Sequence, residues 1–345
     1  MNNNKLNRHY GADVCRICAT FGVILIHTSG PFFYQYGQID TLDWLSAHFM
    51  NSFVRCSVPL FVMLSGALLL KSGSREVSIN RLLKRVSRLA IPLCVWSLFY
   101  MLFLSYHTGS SVDITSMLYK PAMYHLTFIY TLIGVYLLIP ILQVIYDLLV
   151  HRKDYQIYFF LFWFIVNCIP VFISIPFISS PIGTNYSGWG GYFLIGGLIA
   201  NYANNIHHIS TKHLTIAKYV YLFSVAATFI FTWILSAQSN LPIQTVYEYF
   251  SPTVFFASVS AFIVLINIKK EHESPKIVQW VSDITFPVYF MHVVILDIVN
   301  INLISPSSSI PVVFQILIVS TISFLVCLII ASVLRIIPKS KTLFG

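Results

Sequence analysis

The chain carries little charge for its length. Asp, Glu, Lys and Arg make up 10% of its 345 residues, whereas a soluble domain carries about 25%. Its Cys15-x-x-Cys18 pair has no second Cys or His pair nearby, so we expect no metal and no redox centre. Internal repeats, low-complexity tracts and a small-residue signal cleavage site are all missing from the sequence. These absences exclude a soluble protein, a repeat protein and a processed secreted domain.

Apolar sequence is what the chain has in abundance. Hydrophobic residues make up 57% and aromatic residues 16% of it. We predict an all-α, polytopic membrane helix bundle of about ten transmembrane helices, with one membrane domain over residues 1–345 and no appended soluble domain. The predicted spans are 12–30, 44–70, 86–106, 124–147, 155–175, 189–204, 214–236, 250–268, 282–303 and 311–334.

The basic residues predict the orientation of these spans. Of the 21 lysines and arginines, all except Arg16, Arg55 and Lys120 lie in the two tails and the even-numbered loops or at their edges. By the positive-inside rule, both termini are then cytoplasmic. The same residues are spread over six separate segments, so we expect a lipid bilayer and no nucleic acid as partner.

The first span contains ionisable residues that a simple membrane anchor would avoid. Asp13, Arg16 and His27 fall on one face of a helix that turns by about 100° per residue. Arg16 and His27 would lie about 16 Å apart along its axis. A charge at a helix centre costs roughly 2.5–3.5 kcal/mol on insertion scales. This face should therefore point into the protein, where intramembrane charge is by default a functional-site hypothesis.

Other polar residues recur at similar predicted depths. The topology places His27, Arg55, His125 and Glu248 in the outer half of the membrane, and His292 near its middle. A single histidine in a span more often packs against other helices than acts as a catalyst. His27 is the stronger candidate because it shares its face with Asp13 and Arg16.

A cationic stripe precedes the third span, on the predicted cytoplasmic side. Arg81, Lys84, Arg85 and Arg88 follow the i, i+3, i+4, i+7 spacing of one helix face. Such a stripe contacts lipid headgroups in the simpler interpretation. In the more specific interpretation the stripe binds a polyanion, because arginine forms bidentate hydrogen bonds to phosphate oxygens. Arg16 would extend that surface.

One further segment favours packing over chemistry. The glycine-rich stretch 188–197 is typical of closely packed membrane helices. It lacks the strand–loop–helix context of a phosphate-binding loop.

Five short motifs occur in order along the chain. They are Asp13-x-x-Arg16 with His27, Arg55 with Phe61 and Ser65-Gly66, Arg85-x-x-Arg88-Leu-x-x-Pro92, His125-Leu-x-Phe128, and Tyr289-x-x-His292. In this pattern the chain resembles the acyltransferase-3 family of integral-membrane O-acyltransferases, which O-acetylate bacterial surface glycans. It is similar to the acetyltransferases of enterobacterial common antigen. The family has Trp where this chain has Thr127, which puts the local packing there in doubt.

The resemblance implies a reaction and its participants. An acyl group, acetyl in the first instance, would pass from cytoplasmic acyl-CoA to a hydroxyl of a cell-surface glycan or its polyprenyl-linked precursor. Common antigen and lipopolysaccharide are candidate acceptors. The enzyme would be a multi-pass protein of the bacterial cytoplasmic membrane. The donor co-substrate would be acetyl-CoA or another acyl-CoA, with no metal.

The resemblance also implies roles for the candidate residues. The stripe residues and Arg16 would bind acyl-CoA, and His27 would act as general base. Arg16, Asp13, Arg55 and His125 would join His27 in the catalytic group, with Arg55, Tyr289 or a second histidine as oxyanion donor. We expect substrate or structural support from Ser65, Tyr289, His292 and Glu248.

Two other functions remain open from the sequence. A transporter or flippase for a surface glycan or a small anion would also have many spans with intramembrane charge. The other membrane-bound O-acyltransferase superfamily uses an intramembrane histidine as well. It does not account for the Arg16–His27 pair in the first span.

Overall fold

The described residues of the computed structural model form helices joined by loops and turns, with no strand among them. They cover 9–73, 78–109, 112–173, 181–205, 209–268, 274–303 and 310–345. The helices are α1 Tyr10–Phe33, α2 Thr41–Val54, α3 Ser57–Leu69, α4 Ile79–Thr108, α5 Thr127–Leu137, α6 Ile139–His151, α7 Lys153–Cys168, α8 Pro181–Asn205, α9 Thr211–Ser239, α10 Pro252–Ile266, α11 Lys276–Leu303, α12 Val312–Leu334 and α13 Ser340–Leu343. The predicted all-α bundle is confirmed.

The number of spans differs slightly from the prediction. Within the described residues, eight helical segments are long and apolar enough to cross a membrane, or nine if the bent pair α5 and α6 is one span. The remaining predicted span, 189–204, corresponds to α8, which is not among them. Residues 188–198 of α8 are all buried. Since this helix is covered by protein, its small and polar residues need not face lipid. Its crossing of the membrane stays a prediction.

Prolines explain where two predicted continuous spans are interrupted. The second span consists of α2 and α3, which are separated at Arg55 and Cys56. Pro59 cannot donate to the carbonyl four residues earlier, at Arg55, and its ring clashes there. The fourth span bends by 65° between α5 and α6, beside Pro140 in the first turn of α6.

Helices α3 and α8 approach each other closely. A Cβ atom on Gly66 would lie 1.8 Å from the Phe193 carbonyl oxygen, and one on Gly196 would lie 2.0 Å from the Met63 carbonyl oxygen. Only glycine fits at these two crossings. The glycine-rich stretch thus packs helices closely, as predicted. The close approach of α3 and α8 also explains why the Ser65-Gly66 motif contains a glycine.

Helix α1 lies inside the bundle. It packs against α2, α3, α10, α11 and α12. Asp13 is 3% exposed, and the apolar residues Val23 and Ile24 are equally buried. The polar face of α1 is therefore turned toward protein, as its charge predicted, and its principal polar neighbour is α11.

Candidate active site

Helices α1 and α11 run in the same direction and carry matched polar residues. Arg16 of α1 contacts Ser282 of α11, and farther along His27 contacts His292. Eleven positions separate Arg16 from His27, and ten separate Ser282 from His292. At 1.5 Å per residue the two levels lie about 16 Å apart. The helix pair therefore presents two distinct polar levels.

A closed network holds Arg16 at the first level. The Nη1 group of Arg16 lies 3.3 Å from Asp13 Oδ1 and donates to Ser282 Oγ at 2.7 Å. Ser282 Oγ in turn donates to Asp13 Oδ1 at 2.7 Å. The Arg16 side chain keeps 28% of its surface exposed. The carboxylate and the hydroxyl thus orient a guanidinium that still has free surface.

This guanidinium lines the first cavity, which we name the Arg16 cavity. Its volume is about 200 Å³. Ser65 and Tyr136 supply hydroxyl groups to its wall, and Tyr289 closes the side toward His292. Tyr136 donates to Ser65 Oγ at 3.4 Å, while Ser65 donates to the Phe61 carbonyl at 2.9 Å. One arginine in a largely apolar cavity is suited to an anionic or carbonyl-bearing chain.

Three histidines meet at the second level. The rings of His27 and His292 stack with centroids 5.2 Å apart, and those of His125 and His292 lie 5.1 Å apart. Tyr124 packs against His27 at 5.2 Å. The Tyr289 hydroxyl donates to the His125 carbonyl at 2.5 Å. The structure therefore brings together three predicted site histidines and Tyr289, from α1, α11 and the short 3₁₀ helix Tyr124–Leu126.

Hydrogen bonds to carbonyl groups fix the tautomers of two of these histidines. His292 Nδ1 lies 2.6 Å from the Tyr289 carbonyl oxygen, and His125 Nε2 lies 3.3 Å from that of Phe290. Since a carbonyl only accepts, we infer that both nitrogens carry the proton. The other nitrogens, His292 Nε2 and His125 Nδ1, are buried and have no partner among the described residues. Two buried ring nitrogens without a partner among the described residues thus belong to the histidine cluster.

His27 also lines the second cavity, the His27 cavity, of about 430 Å³. The polar residues that line it with His27 are Asn51, Arg55, Gln244 and the tyrosines Tyr34, Tyr124, Tyr247 and Tyr249. None of its described lining residues is acidic. It is larger and richer in hydrogen-bonding groups than the Arg16 cavity.

Arg55 lies in this cavity because of the helix break. At the C-terminal end of α2, its Nε donates to the Tyr247 carbonyl oxygen at 2.7 Å. The guanidinium carbon lies 5.1 Å from the ring centroid of Tyr247 and 4.9 Å from that of Tyr249. Arg55 and His27, which the sequence placed only in the same half of the membrane, thus line the same cavity.

The basic stripe occupies the first turns of α4. Arg81, Lys84 and Arg88 are exposed, whereas Arg85 is half-buried. The Nη1 atom of Arg85 is buried without a partner among the described residues. Arg85 is thus the member of the stripe that is turned partly into the protein.

Glu248 lines neither cavity, although the sequence placed it in the outer-half group. Glu248 is exposed, and its neighbours Tyr247 and Tyr249 line the His27 cavity instead. The sequence reasoning also missed Asn51 and Ser282. Asn51 precedes Arg55 by one helical turn, so helical spacing alone could have found it.

A third cavity lies away from these groups. Its volume is about 570 Å³, and its walls are almost wholly apolar, with Lys218 and Cys18 at the rim. Among the described residues, no group of three or more His, Cys, Asp or Glu could hold a metal ion. The chemistry-bearing residues are therefore those of the two polar cavities and the histidines between them.

Comparison with known proteins identifies the family. The family model described as an acyltransferase domain, of the acyltransferase-3 type, matches residues 9–332. Neither the curated proteins nor the solved structures contain a match. The matched range includes both cavities and all three clustered histidines. Its span of nearly the whole sequence favours an enzyme over the transporter considered above. The chain belongs to the acyltransferase-3 family and is a membrane acyltransferase.

Proposed function

We propose that the protein transfers an acyl group, acetyl in the first instance, from acyl-CoA to a hydroxyl group of a cell-surface glycan or its lipid-linked precursor. The observation that carries this proposal is the position of His27. It lines the His27 cavity and stacks on His292, which contacts Tyr289 in the wall of the Arg16 cavity. In this proposal the hydroxyl group binds in the His27 cavity, and the thioester approaches His27 from the Arg16 cavity past Tyr289 and His292.

The donor binds at the basic end of the bundle in this proposal. CoA carries several phosphate groups, and the exposed Arg81, Lys84 and Arg88 offer charge to them. Half-buried Arg85 has an unpartnered Nη1 atom to bond a phosphate or an amide oxygen. The thin acyl-pantetheine arm then extends past Arg16 in the Arg16 cavity. The positive-inside pattern supports a cytoplasmic location for this end.

The chemical step uses His27 as general base. A sugar hydroxyl in the His27 cavity attacks the thioester carbonyl carbon while His27 takes the hydroxyl proton. The carbon–sulfur bond then breaks, and the proton passes from the imidazolium to the departing CoA thiolate. His292 and Tyr124, which contact the His27 ring, hold its orientation.

The developing oxyanion needs a hydrogen-bond donor. Tyr289 already donates its hydroxyl to the His125 carbonyl, and His125 donates to that of Phe290. Among the described residues Arg55 uses only its Nε–H, which favours it among the three candidates named from the sequence. Its two Nη groups carry four further N–H bonds, enough to serve the oxyanion and still leave a pair for another ligand group.

A histidine exchange tests this function. His27→Gln keeps hydrogen-bonding capacity but removes the base, so we expect acyl transfer to fall by about 10²–10⁴-fold. His107→Gln is the matched control, because His107 is exposed at the end of α4 and lies in neither cavity. The readout is radiolabel transferred from acetyl-CoA to glycan in membranes that contain equal amounts of each variant. Normal transfer by His27→Gln would remove His27 from the mechanism.

A further inference from the structure

The guanidinium of Arg55 is held in a fixed position without a counter-ion. Its Nε–H donates a hydrogen bond to the Tyr247 carbonyl oxygen, and the rings of Tyr247 and Tyr249 lie near the guanidinium carbon. No carboxylate among the described residues lies within ion-pair distance of it. Its two Nη groups are left for something else that enters the His27 cavity.

A half-buried cation of this kind favours an anionic ligand. Removing an arginine from water is costly unless its charge is paired, and the planar fork of arginine fits a carboxylate or phosphate with two parallel hydrogen bonds. Arg16 shows the contrast within the same protein, because Asp13 and Ser282 satisfy it. Arg55 therefore brings a positive charge into the cavity that no carboxylate among the described residues balances.

Asn51 adds a second binding group one helical turn away. It is 3% exposed and lines the same cavity. Its Nδ2 group donates to Ser29 Oγ at 3.0 Å and to the Ile26 carbonyl at 3.3 Å. Its Oδ1 atom is buried and has no partner among the described residues. A hydroxyl group of a bound ligand would satisfy this acceptor.

Tyr247 is itself fixed by a buried neighbour. Its hydroxyl bonds His48 Nδ1, while His48 Nε2 lies 2.8 Å from the Phe229 carbonyl oxygen. His48 is fully buried and stacks on the Phe229 ring at 4.4 Å. Since Tyr247 supplies both a ring and a carbonyl to Arg55, this arrangement preorganises the guanidinium.

We propose that the acceptor carries an anionic group, a carboxylate or a phosphate, which the Arg55 fork binds while Asn51 accepts a hydrogen bond from a neighbouring hydroxyl. This rests on the proposed function, because it names the chemical class of that acceptor. A carboxylate would belong to an acidic sugar, and a phosphate to the linkage between a sugar and its lipid carrier. The competing role for Arg55 is that of oxyanion donor alone, which would not distinguish charged from neutral acceptors.

Equilibrium binding to the purified protein in detergent tests the proposal. The probes are methyl glucuronoside, methyl glucoside and glucose 1-phosphate, which share a ring and differ in charge. We expect one of the charged probes to bind at least about 10-fold more tightly than the neutral one, as expected for charge-assisted hydrogen bonds. The probe that binds more tightly identifies the source, carboxylate or phosphate.

Variants then assign the preference to Arg55. Arg55→Gln should bind charged and neutral probes equally, and Arg55→Lys should keep only part of the preference because lysine lacks the fork. Lys120→Gln is the control for loss of one positive charge, since Lys120 is exposed and lies outside the cavity. It should match the unaltered protein.

The outcomes separate this proposal from the proposed function. Binding needs no turnover, so His27→Gln should retain the preference for the charged probe even if the assignment of His27 as base is wrong. Equal binding of charged and neutral probes, or no binding of either charged probe, would overturn the proposal. So would an Arg55→Gln variant that keeps the preference, or one that lowers kcat equally for charged and neutral acceptors with no change in KM.

Discussion

The two ends of the α1–α11 pair use arginine in opposite ways. At one end, Arg16 is bonded to Asp13 and Ser282. The volume of the adjoining cavity is small, at about 200 Å³. At the other end, Arg55 has no carboxylate partner among the described residues, and the cavity is about 430 Å³. An arginine whose hydrogen bonds are made within the protein suits a site that orients a substrate of constant structure, such as the acyl-pantetheine arm. An unsatisfied one suits a site that recognises a charged group. In the function proposed above, the first is the donor end and the second is the acceptor end.

Of the substitutions that test this difference, removal of Arg16 should have the largest effect on stability and activity. Arg16→Gln removes the guanidinium that the buried Asp13 carboxylate bonds, and breaking such a buried pair typically costs about 3–5 kcal/mol. We expect a lower unfolding temperature in detergent and loss of acyl transfer. The double variant Asp13→Asn with Arg16→Gln should recover stability, because no buried charge remains, but not activity. Recovery of both would mean that Arg16 is structural only.

The half-buried arginine of α4 should affect the donor end alone. Arg85→Gln removes an unpartnered buried donor, so we expect the KM for acyl-CoA to rise by about 10-fold, as for a hydrogen bond to a charged group. Arg88→Gln, on the exposed part of the same helix, should raise it only about 2-fold. Rates in membrane vesicles over a range of acyl-CoA concentrations check both values. Equal KM values for the two variants and the unaltered protein would favour lipid contact by the whole stripe.

The matching exchange at the acceptor end should have a smaller effect. Asn51→Ala removes an acceptor from the His27 cavity, and we expect the KM for the acceptor to rise about 5-fold, equivalent to about 1 kcal/mol. The KM for acyl-CoA should stay unchanged. Steady-state rates with each substrate varied in turn provide the check. If Asn51→Ala raised the donor KM instead, the assignment of the two cavities would be reversed.

Much of the α1 face could be predicted from the sequence. Helical periodicity is regular, so it placed Asp13, Arg16 and His27 on one side, and their charge required that side to be covered. The same periodicity applies to Ser282, Tyr289 and His292 on α11. Their pairing with α1 could not be derived, because it depends on which helices become neighbours.

Loop geometry and helix breaks explain what was not predicted. Pro59 and Pro140 are visible in the sequence, but the consequence of each break depends on the residues that then meet across it. Arg55 turns toward Tyr247 and Tyr249 because α2 ends there. Glu248 follows no helical period, so its exposed position could not be inferred from its predicted depth.

In the proposed function, donor and acceptor enter from opposite ends of the α1–α11 pair and meet at His27. Measuring from which side of a sealed membrane vesicle each substrate reacts tests this arrangement most directly. Inside-out vesicles receive labelled acetyl-CoA outside, with a membrane-impermeant acceptor either enclosed or added outside. We predict labelled product only when acetyl-CoA is outside and the acceptor is enclosed, and none when the acceptor is outside. Equal labelling of an acceptor on the same side as acetyl-CoA would contradict the account.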